Sequence, residues 1–329
     1  VYERAAEYLH CEAEMGPDGA ALHWADQLRD VRRSAATLLG GAPDQIGFSA
    51  TTTTAWLTML ARMDLAGKRV LVAPHDWGDF YRTLKQRGDV TVEVLPALSG
   101  ENPDLAAWAA RIGEDVAALF VPMVTAVGGF RYPVEAIGAL PRPKQMKYII
   151  DGAQALGQMP VDVGRIGCDV FVATGRKWLR GPRQVSLVWV RGGCAFTASD
   201  LEPADKNNAL LLGLGVAIDH FMDVGAEVVQ AQIMARSNAL RDWARAHDVA
   251  VEAGQTGSVS LKLGVEQGVE AIKALSESGI AAKLLNVGHF EPMVFADAQG
   301  RWLRLSPHVY TTDADIEALL VVLTQVLKL

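Results

Sequence analysis

The sequence predicts an α/β fold: a mostly parallel, doubly wound sheet followed by a smaller C-terminal α/β domain. Three observations predict it. Short apolar, β-rich runs alternate with helical stretches from Ile46 through Val190, the pattern of strands joined by crossover helices. After Arg191-Gly192-Gly193 the pattern changes to long helical stretches and a second, shorter set of strands. The chain of 329 residues is 50% hydrophobic and 21% charged, which is ample material for a large core. The expected division is a large domain over 1–195 and a small one over 207–329, with the first ~15 residues packing against the small domain.

Taken in order, Tyr2–Glu14 reads as an amphipathic helix ending near Gly16-Pro17. Leu22–Leu39 is a longer one: Leu22, Leu28, Val31, Ala35, Leu38 and Leu39 recur at helical spacing, and Gly40-Gly41 stops it. Ile46–Ser49 is a short strand, followed by Ala50, four threonines (Thr51–Thr54) and a helix, Ala55–Met63. Hydroxyls and free backbone N–H groups at a helix start form an anion site, and they also serve simply as an N-cap. Arg69–Ala73 is a strand that runs into Pro74-His75-Asp76-Trp77-Gly78-Asp79. His75, Asp76 and Asp79 find no fourth partner in the sequence for a metal. Val90–Pro96 and Val116–Val121 are further strands, and Asp104–Ile112 and Pro133–Leu140 are helices.

The stretch Lys147–Val190 holds the candidate chemistry. Lys147–Ile150 is an apolar run that ends in Asp151, and small residues follow it (Gly152, Ala153, Ala155, Gly157). Cys168–Ala173 is a second β-rich run, followed by Thr174-Gly175-Arg176-Lys177-Trp178, and Ser186–Val190 is a third. One strand ending in an acid and another ending in a hydroxyl and a lysine put these groups at the carboxyl edge of the sheet, where open α/β sheets bind ligands. A lysine between Trp178 and Arg176 is easier to deprotonate than a free one, and a neutral lysine forms a Schiff base. Asp151 could hold a proton on a pyridine nitrogen, and Thr174 and Arg176 could bind a phosphate. Together these are the requirements of pyridoxal 5′-phosphate.

Asp151-Gly-Ala-Gln154 followed by Gly175-Arg-Lys-Trp-Leu-Arg-Gly-Pro-Arg183 resembles the fold-type I pyridoxal-phosphate enzymes, in the class V aminotransferase group. That group includes cysteine desulfurases, isopenicillin N epimerase-like enzymes and ergothioneine-pathway C–S lyases. Arg176 stands where many members have His, a variant closest to the C–S lyases. The resemblance implies the sheet of the aspartate aminotransferase type, with Lys177 as the Schiff-base lysine and Asp151 on the pyridine nitrogen. It places Gln154 near the ring 3′-oxygen, and Thr174 and Arg176 at the phosphate. Thr52 and Thr53 fall on the threonines of the family's Gly-Thr-Thr-Glu phosphate loop, while Thr51 and Thr54 replace its glycine and glutamate. The loop after Arg69–Ala73 implies a ring-stacking residue; Trp77 is the first choice, because a flat indole suits a flat pyridine, and His75 the second. Ala126 stands where relatives often carry an Asn that contacts the ring oxygen, which leaves Thr125 as the candidate there.

Beyond the sheet, Asn207–Asp223 begins a long helical region that continues through Val224–His247. Ser258–Gly264, Ala281–Leu285 and Trp302–Leu305 are strands, and Val269–Ser278 and Asp313–Leu327 are helices, the last with a Thr-Thr-Asp N-cap. Arg304-Leu-Ser-Pro-His-Val-Tyr310 resembles the family's Arg-x-Ser-Pro-His-x-Tyr motif, which implies Arg304 as the clamp on the substrate α-carboxylate. A planar guanidinium binds a carboxylate bidentately. The resemblance also implies a homodimer, an N-terminal segment that this sequence lacks and a longer connection at Ser199–Asn208, so the chain is expected to be incomplete.

A net charge of −7 with no basic run argues against a nucleic-acid partner. No apolar segment reaches membrane-spanning length. Three widely spaced cysteines (Cys11, Cys168, Cys194) form neither a disulfide framework nor a zinc pattern and suggest the reducing cytoplasm. Asn286–Arg304 contains no cysteine, which disfavours a desulfurase, since persulfide chemistry requires an accessible thiolate. The expected activity is β-elimination on a cysteine conjugate or its sulfoxide. A class V aminotransferase or amino-acid epimerase, and a non-catalytic scaffold of the same fold, are the alternatives.

Overall fold

The computed structural model describes residues 1–74, 78–98, 103–252, 254–286 and 301–329. The chain opens with α1 (Tyr2–His23), which is broken at Gly16, where φ is 75° and ψ 169°. Pro17 then starts a second helical piece, a position where its missing N–H costs nothing. The sequence-expected helix at Leu22 therefore begins later, as α2 (Ala25–Leu39), and stops at Gly40 in the left-handed conformation.

The large body follows as β1 (Ile46–Ser49), α3 (Thr52–Arg62), β2 (Arg69–Val72), α4 (Gly78–Arg87), β3 (Thr91–Val94), α5 (Ala106–Ala109), β4 (Val116–Pro122), α6 (Val134–Gly138), β5 (Lys147–Asp151), α7 (Val163–Ile166), β6 (Val170–Thr174) and β7 (Ser186–Val190). Their strands form one seven-stranded sheet in the order β1-β7-β6-β5-β4-β2-β3. Only β7 runs against its neighbours, pairing antiparallel with both β1 and β6. The period-2 alternation of strands decides the layers. Leu119, Val121, Tyr148, Ile150, Phe171 and Ala173 face one core, shared with α1 and α2. Ala118, Phe120, Ile149, Val170 and Val172 face the other, covered by α3 and α4. The sheet is thus doubly wound, as the sequence predicts. The helix expected over Asp104–Ile112 shrinks to α5, which still buries Trp108 completely and ties its indole N–H to Pro96 O at 2.9 Å.

The rest of the chain is α8 (Asn208–Val224), α9 (Ala226–Ala246), β8 (Val259–Leu263), α10 (Val265–Glu277), β9 (Lys283–Asn286), β10 (Arg301–Leu305) and α11 (Asp313–Leu327). The second sheet, in the order β8-β10-β9, is antiparallel throughout. The change of body falls later than residue 207. Helix α8 packs on α1 and α2, and its Leu211, Leu212, Leu214 and Ile218 belong to the larger core, as do Val229 and Ile233 of α9. Leu240 and Ala244 of α9 belong to the smaller core, so the boundary lies within that helix. The N-terminal residues likewise join the large body, burying Ala5 and Tyr8 against it, rather than the small one. No single described helix is long and apolar enough to cross a membrane; the bent pair α8–α9 comes nearest, and its apolar residues are largely buried in the cores.

The small body docks on the hairpin neck around Val124 and Arg131. Gly129 sits at φ 66°, and a Cβ there would meet Thr256 Oγ1 at 2.5 Å and Ser258 O at 2.7 Å. Thr256 Oγ1 donates to Gly129 O (2.8 Å), and Gly128 N donates to Ser260 Oγ (3.1 Å).

Candidate active site

A cavity of ≈ 440 Å³ opens at the carboxyl edge of the large sheet. The chain after β1 brings Thr51, Thr52 and Thr53 to it, at the first turn of α3. Thr51 is the N-cap: its Oγ1 accepts from Thr54 N at 3.0 Å, and Thr52 and Thr53 line the cavity beside it. Asp151 and Gln154 come from the end of β5, and Thr174, Arg176, Lys177 and Trp178 from the end of β6. Arg304 and Ser306 arrive from the small body on and just after β10.

Asp151 Oδ1 accepts from Ala153 N at 2.7 Å. Burial raises the Asp151 carboxyl above its ordinary value, opposed by the positive charge of Lys177 and by the Ala153 N–H. An enclosed acid of this kind becomes a stable carboxylate when a cationic group faces it. Burial likewise lowers the Arg304 guanidinium from its ordinary value. Its Nη1 donates to Ala126 O at 2.6 Å, the one hydrogen bond it makes among the described residues. The other donors of its planar fork are available to an anion. Gln154 is buried, and its Oε1 accepts from Trp178 Nε1 at 3.2 Å.

The cavity thus gathers an acid, a lysine, a helix N-terminus with hydroxyls, and an arginine from the other body. Thr125 is not among its lining residues. Its hydroxyl donates to Val127 O (2.6 Å) and accepts from Phe130 N (3.0 Å), so it is consumed in the neck of the 124–131 hairpin while Val124 and Ala126 face the cavity. Trp77 and His75 lie outside the described residues.

One further lining residue gave no signal in the sequence. Gln184 reaches the cavity from a left-handed conformation (φ 60°). His308, within the Arg304–Tyr310 motif, lines the cavity and also holds the site together. Its Nε2 donates to Trp178 O (2.9 Å), and its Nδ1 accepts from Val309 N (2.8 Å). Both ring nitrogens are satisfied only in the neutral form, and burial, the largest cause, pushes its pKa down to about 4.

The sequence pattern of the aminotransferase class-V family matches residues 1–204, more than half of the chain. The chain belongs to the aminotransferase class-V family. Among its relatives, a cysteine desulfurase of Pectobacterium atrosepticum is 26% identical over 278 residues, covering 76% of this chain and 68% of the relative. A cysteine desulfurase of Yersinia pestis is 25% identical over 279 residues, with the same coverage. The fold is shared with the apo cysteine desulfurase of Thermococcus onnurineus NA1 (TM-score 0.84, 17% identity, covering 99% of this chain and 92% of that one). It is shared equally with the cystine C–S lyase C-DES in complex with its product, cysteine persulfide (TM-score 0.85, 21% identity, 98% and 92%).

The cofactor of this class-V chain is pyridoxal 5′-phosphate. The donor set fits it: a carboxylate enclosed at the cavity wall, an amine on the neighbouring strand end and anion donors at the start of α3 are the kinds of group that its ring nitrogen, aldehyde and phosphate call for. The chain is thus a class-V pyridoxal-phosphate enzyme, similar in sequence to the cysteine desulfurases.

Proposed function

We propose that this chain is a C–S lyase that carries out β-elimination on a cysteine conjugate or its sulfoxide. The cofactor, when bound, supplies an electron sink for the charge left at Cα after deprotonation. In this reading Lys177 holds the cofactor covalently through its amine and, once released, takes the Cα proton as general base. Asp151 keeps a proton on the ring nitrogen. Thr52, Thr53, Thr174 and Arg176 would bind the phosphate, and Gln154 would donate to the ring oxygen. Arg304 clamps the substrate carboxylate from the small body, so both bodies must meet for the substrate to be held. The Cβ–S bond then breaks, sulfur leaves with the bonding electrons and picks up a proton, and the three-carbon remainder hydrolyses to pyruvate and ammonia.

The observation that favours elimination over desulfuration is the placement of sulfur. None of the three cysteines lines the cavity. Cys168 precedes β6 and Cys194 follows the antiparallel β7, which puts both at the opposite edge of the sheet. Burial pushes the Cys168 thiol up to about 12 and raises Cys194 as well, so neither is a ready thiolate. β-Elimination needs no protein thiol. The family name keeps amino transfer as the second reading. Purified protein with cofactor, given an S-substituted cysteine and its sulfoxide, is expected to release pyruvate and ammonia. Amino transfer to a keto acid with no pyruvate would contradict the lyase reading. The reading includes a homodimer, to be checked by sedimentation at twice the chain mass of 35.4 kDa.

A further inference from the structure

We infer that Trp178 is a positioning residue that sets which face of the Gln154 amide the cavity sees. The inference rests on the cofactor reading above. An indole N–H only donates, so the atom of Gln154 that meets Trp178 Nε1 at 3.2 Å must be the carbonyl oxygen Oε1. That bond fixes the amide against a flip. It leaves Nε2, which makes no protein hydrogen bond among the described residues, as the group Gln154 can offer to the cavity it lines. Without the indole, the amide would be equally able to offer an acceptor, and an acceptor facing the ring oxygen would repel it.

The rest of the surroundings hold the indole and the glutamine backbone in place. Trp178 is 4% exposed and stacks on His308 with ring centroids 5.4 Å apart and planes at 23°. His308 stacks in turn on Tyr310 (4.5 Å, 14°) and donates from Nε2 to Trp178 O. Gln154 O accepts from Gln158 Nε2, and Gln158 Oε1 accepts from Gly257 N at 2.9 Å. Gly257 has no room for a side chain, since a Cβ would lie 2.7 Å from Trp178 Cη2. The small body therefore grips both partners of the Trp178–Gln154 bond, one through His308 and one through Gly257.

The test is a pH titration of the visible absorption of the lysine-bound cofactor, which reports the ring oxygen and its shared proton rather than turnover. A donor to that oxygen favours the proton-free form, so losing it raises the midpoint. Gln154→Leu is expected to raise it by about one pH unit, the size of a hydrogen bond to a charged group. Trp178→Phe is expected to raise it in the same direction, and the double variant to add nothing beyond Gln154→Leu. Replacing Trp178 by its benzothienyl isostere keeps the bicyclic shape and removes only the N–H, so it gives the same reading should Trp178→Phe fail to fold. An unmoved midpoint in the isostere protein, an additive double variant, or no effect of Gln154→Leu would each overturn the positioning role while leaving the cofactor reading intact. No visible band in the unaltered, cofactor-treated protein would overturn the cofactor reading, and this inference with it.

Discussion

At the residue scale, His308 shows how burial without charge compensation leaves a measurable trace. Its pKa is held at about 4 against an ordinary 6.5, burial being the largest cause and nearby Arg180 adding to it. The unfolded chain binds the proton at the ordinary value, so between those limits the unfolded state carries more protons. The stability due to the neutral ring is complete above ~6.5 and drains away as the pH falls towards ~4, by up to ~3 kcal/mol. Asp151 acts in the opposite sense: its raised carboxyl favours the folded state at low pH and loses that contribution as the pH rises through its folded value. Comparing His308→Gln with the unaltered protein separates the two. Denaturant midpoints between pH 7 and pH 4.5 are expected to fall less steeply in the variant, and equal slopes would contradict the assignment. The cysteines give a second residue-scale prediction. Cys11→Ser with Cys194→Ser is expected to leave elimination rates within about twofold, because neither thiol lines the cavity. A collapse of turnover at unchanged stability would return the chain to desulfurase-type chemistry.

At the element scale, the turn that follows β6 decides where Lys177 stands. It is packed against the loop after β5 so closely that Gly157, at φ 95°, has Trp178 C and Leu179 N within 2.4 Å of where a Cβ would sit. Those are backbone atoms and cannot swing aside. Gly157→Ala is expected to cost ~2 kcal/mol or more, through both the strained φ and the clash, and to lower cofactor retention by displacing the turn. Urea unfolding and the absorbance of the gel-filtered protein measure the two effects separately. A stable variant with full cofactor content would show that the turn tolerates movement. The strand ends themselves were legible in the sequence, because apolar runs closing on Asp151 and on Thr174-Arg176-Lys177 can only be strands delivering polar groups to one edge. The use of Thr125 was not legible. A hydroxyl beside a cavity and a hydroxyl closing a hairpin look identical until the chain turns back at Gly128-Gly129. Gln184 was missed because nothing in its neighbours announces a non-glycine residue at positive φ.

At the scale of the whole molecule, the layer order followed from the alternation of strands and helices, but the seam between the bodies did not. Helix α8 is apolar enough to serve either core, and local sequence carries no record of which neighbours it finds; here it fills the space beside α1 and α2. The consequence is functional. The smaller core begins only within α9, so the small body reaches the cavity through β10 and the residues after it, and holds it with Arg304, His308 and the contacts to the 124–131 hairpin. The cavity is therefore a joint product of two bodies, while the covalent chemistry is assigned to one side chain of the large one. Borohydride reduction of the cofactor-loaded protein, followed by proteolysis and mass spectrometry, tests that assignment most directly. The added mass of the reduced cofactor is expected on Lys177, and on no other lysine at comparable yield. An active, cofactor-loaded protein whose adduct sits on a different lysine, or that forms none, would contradict the account.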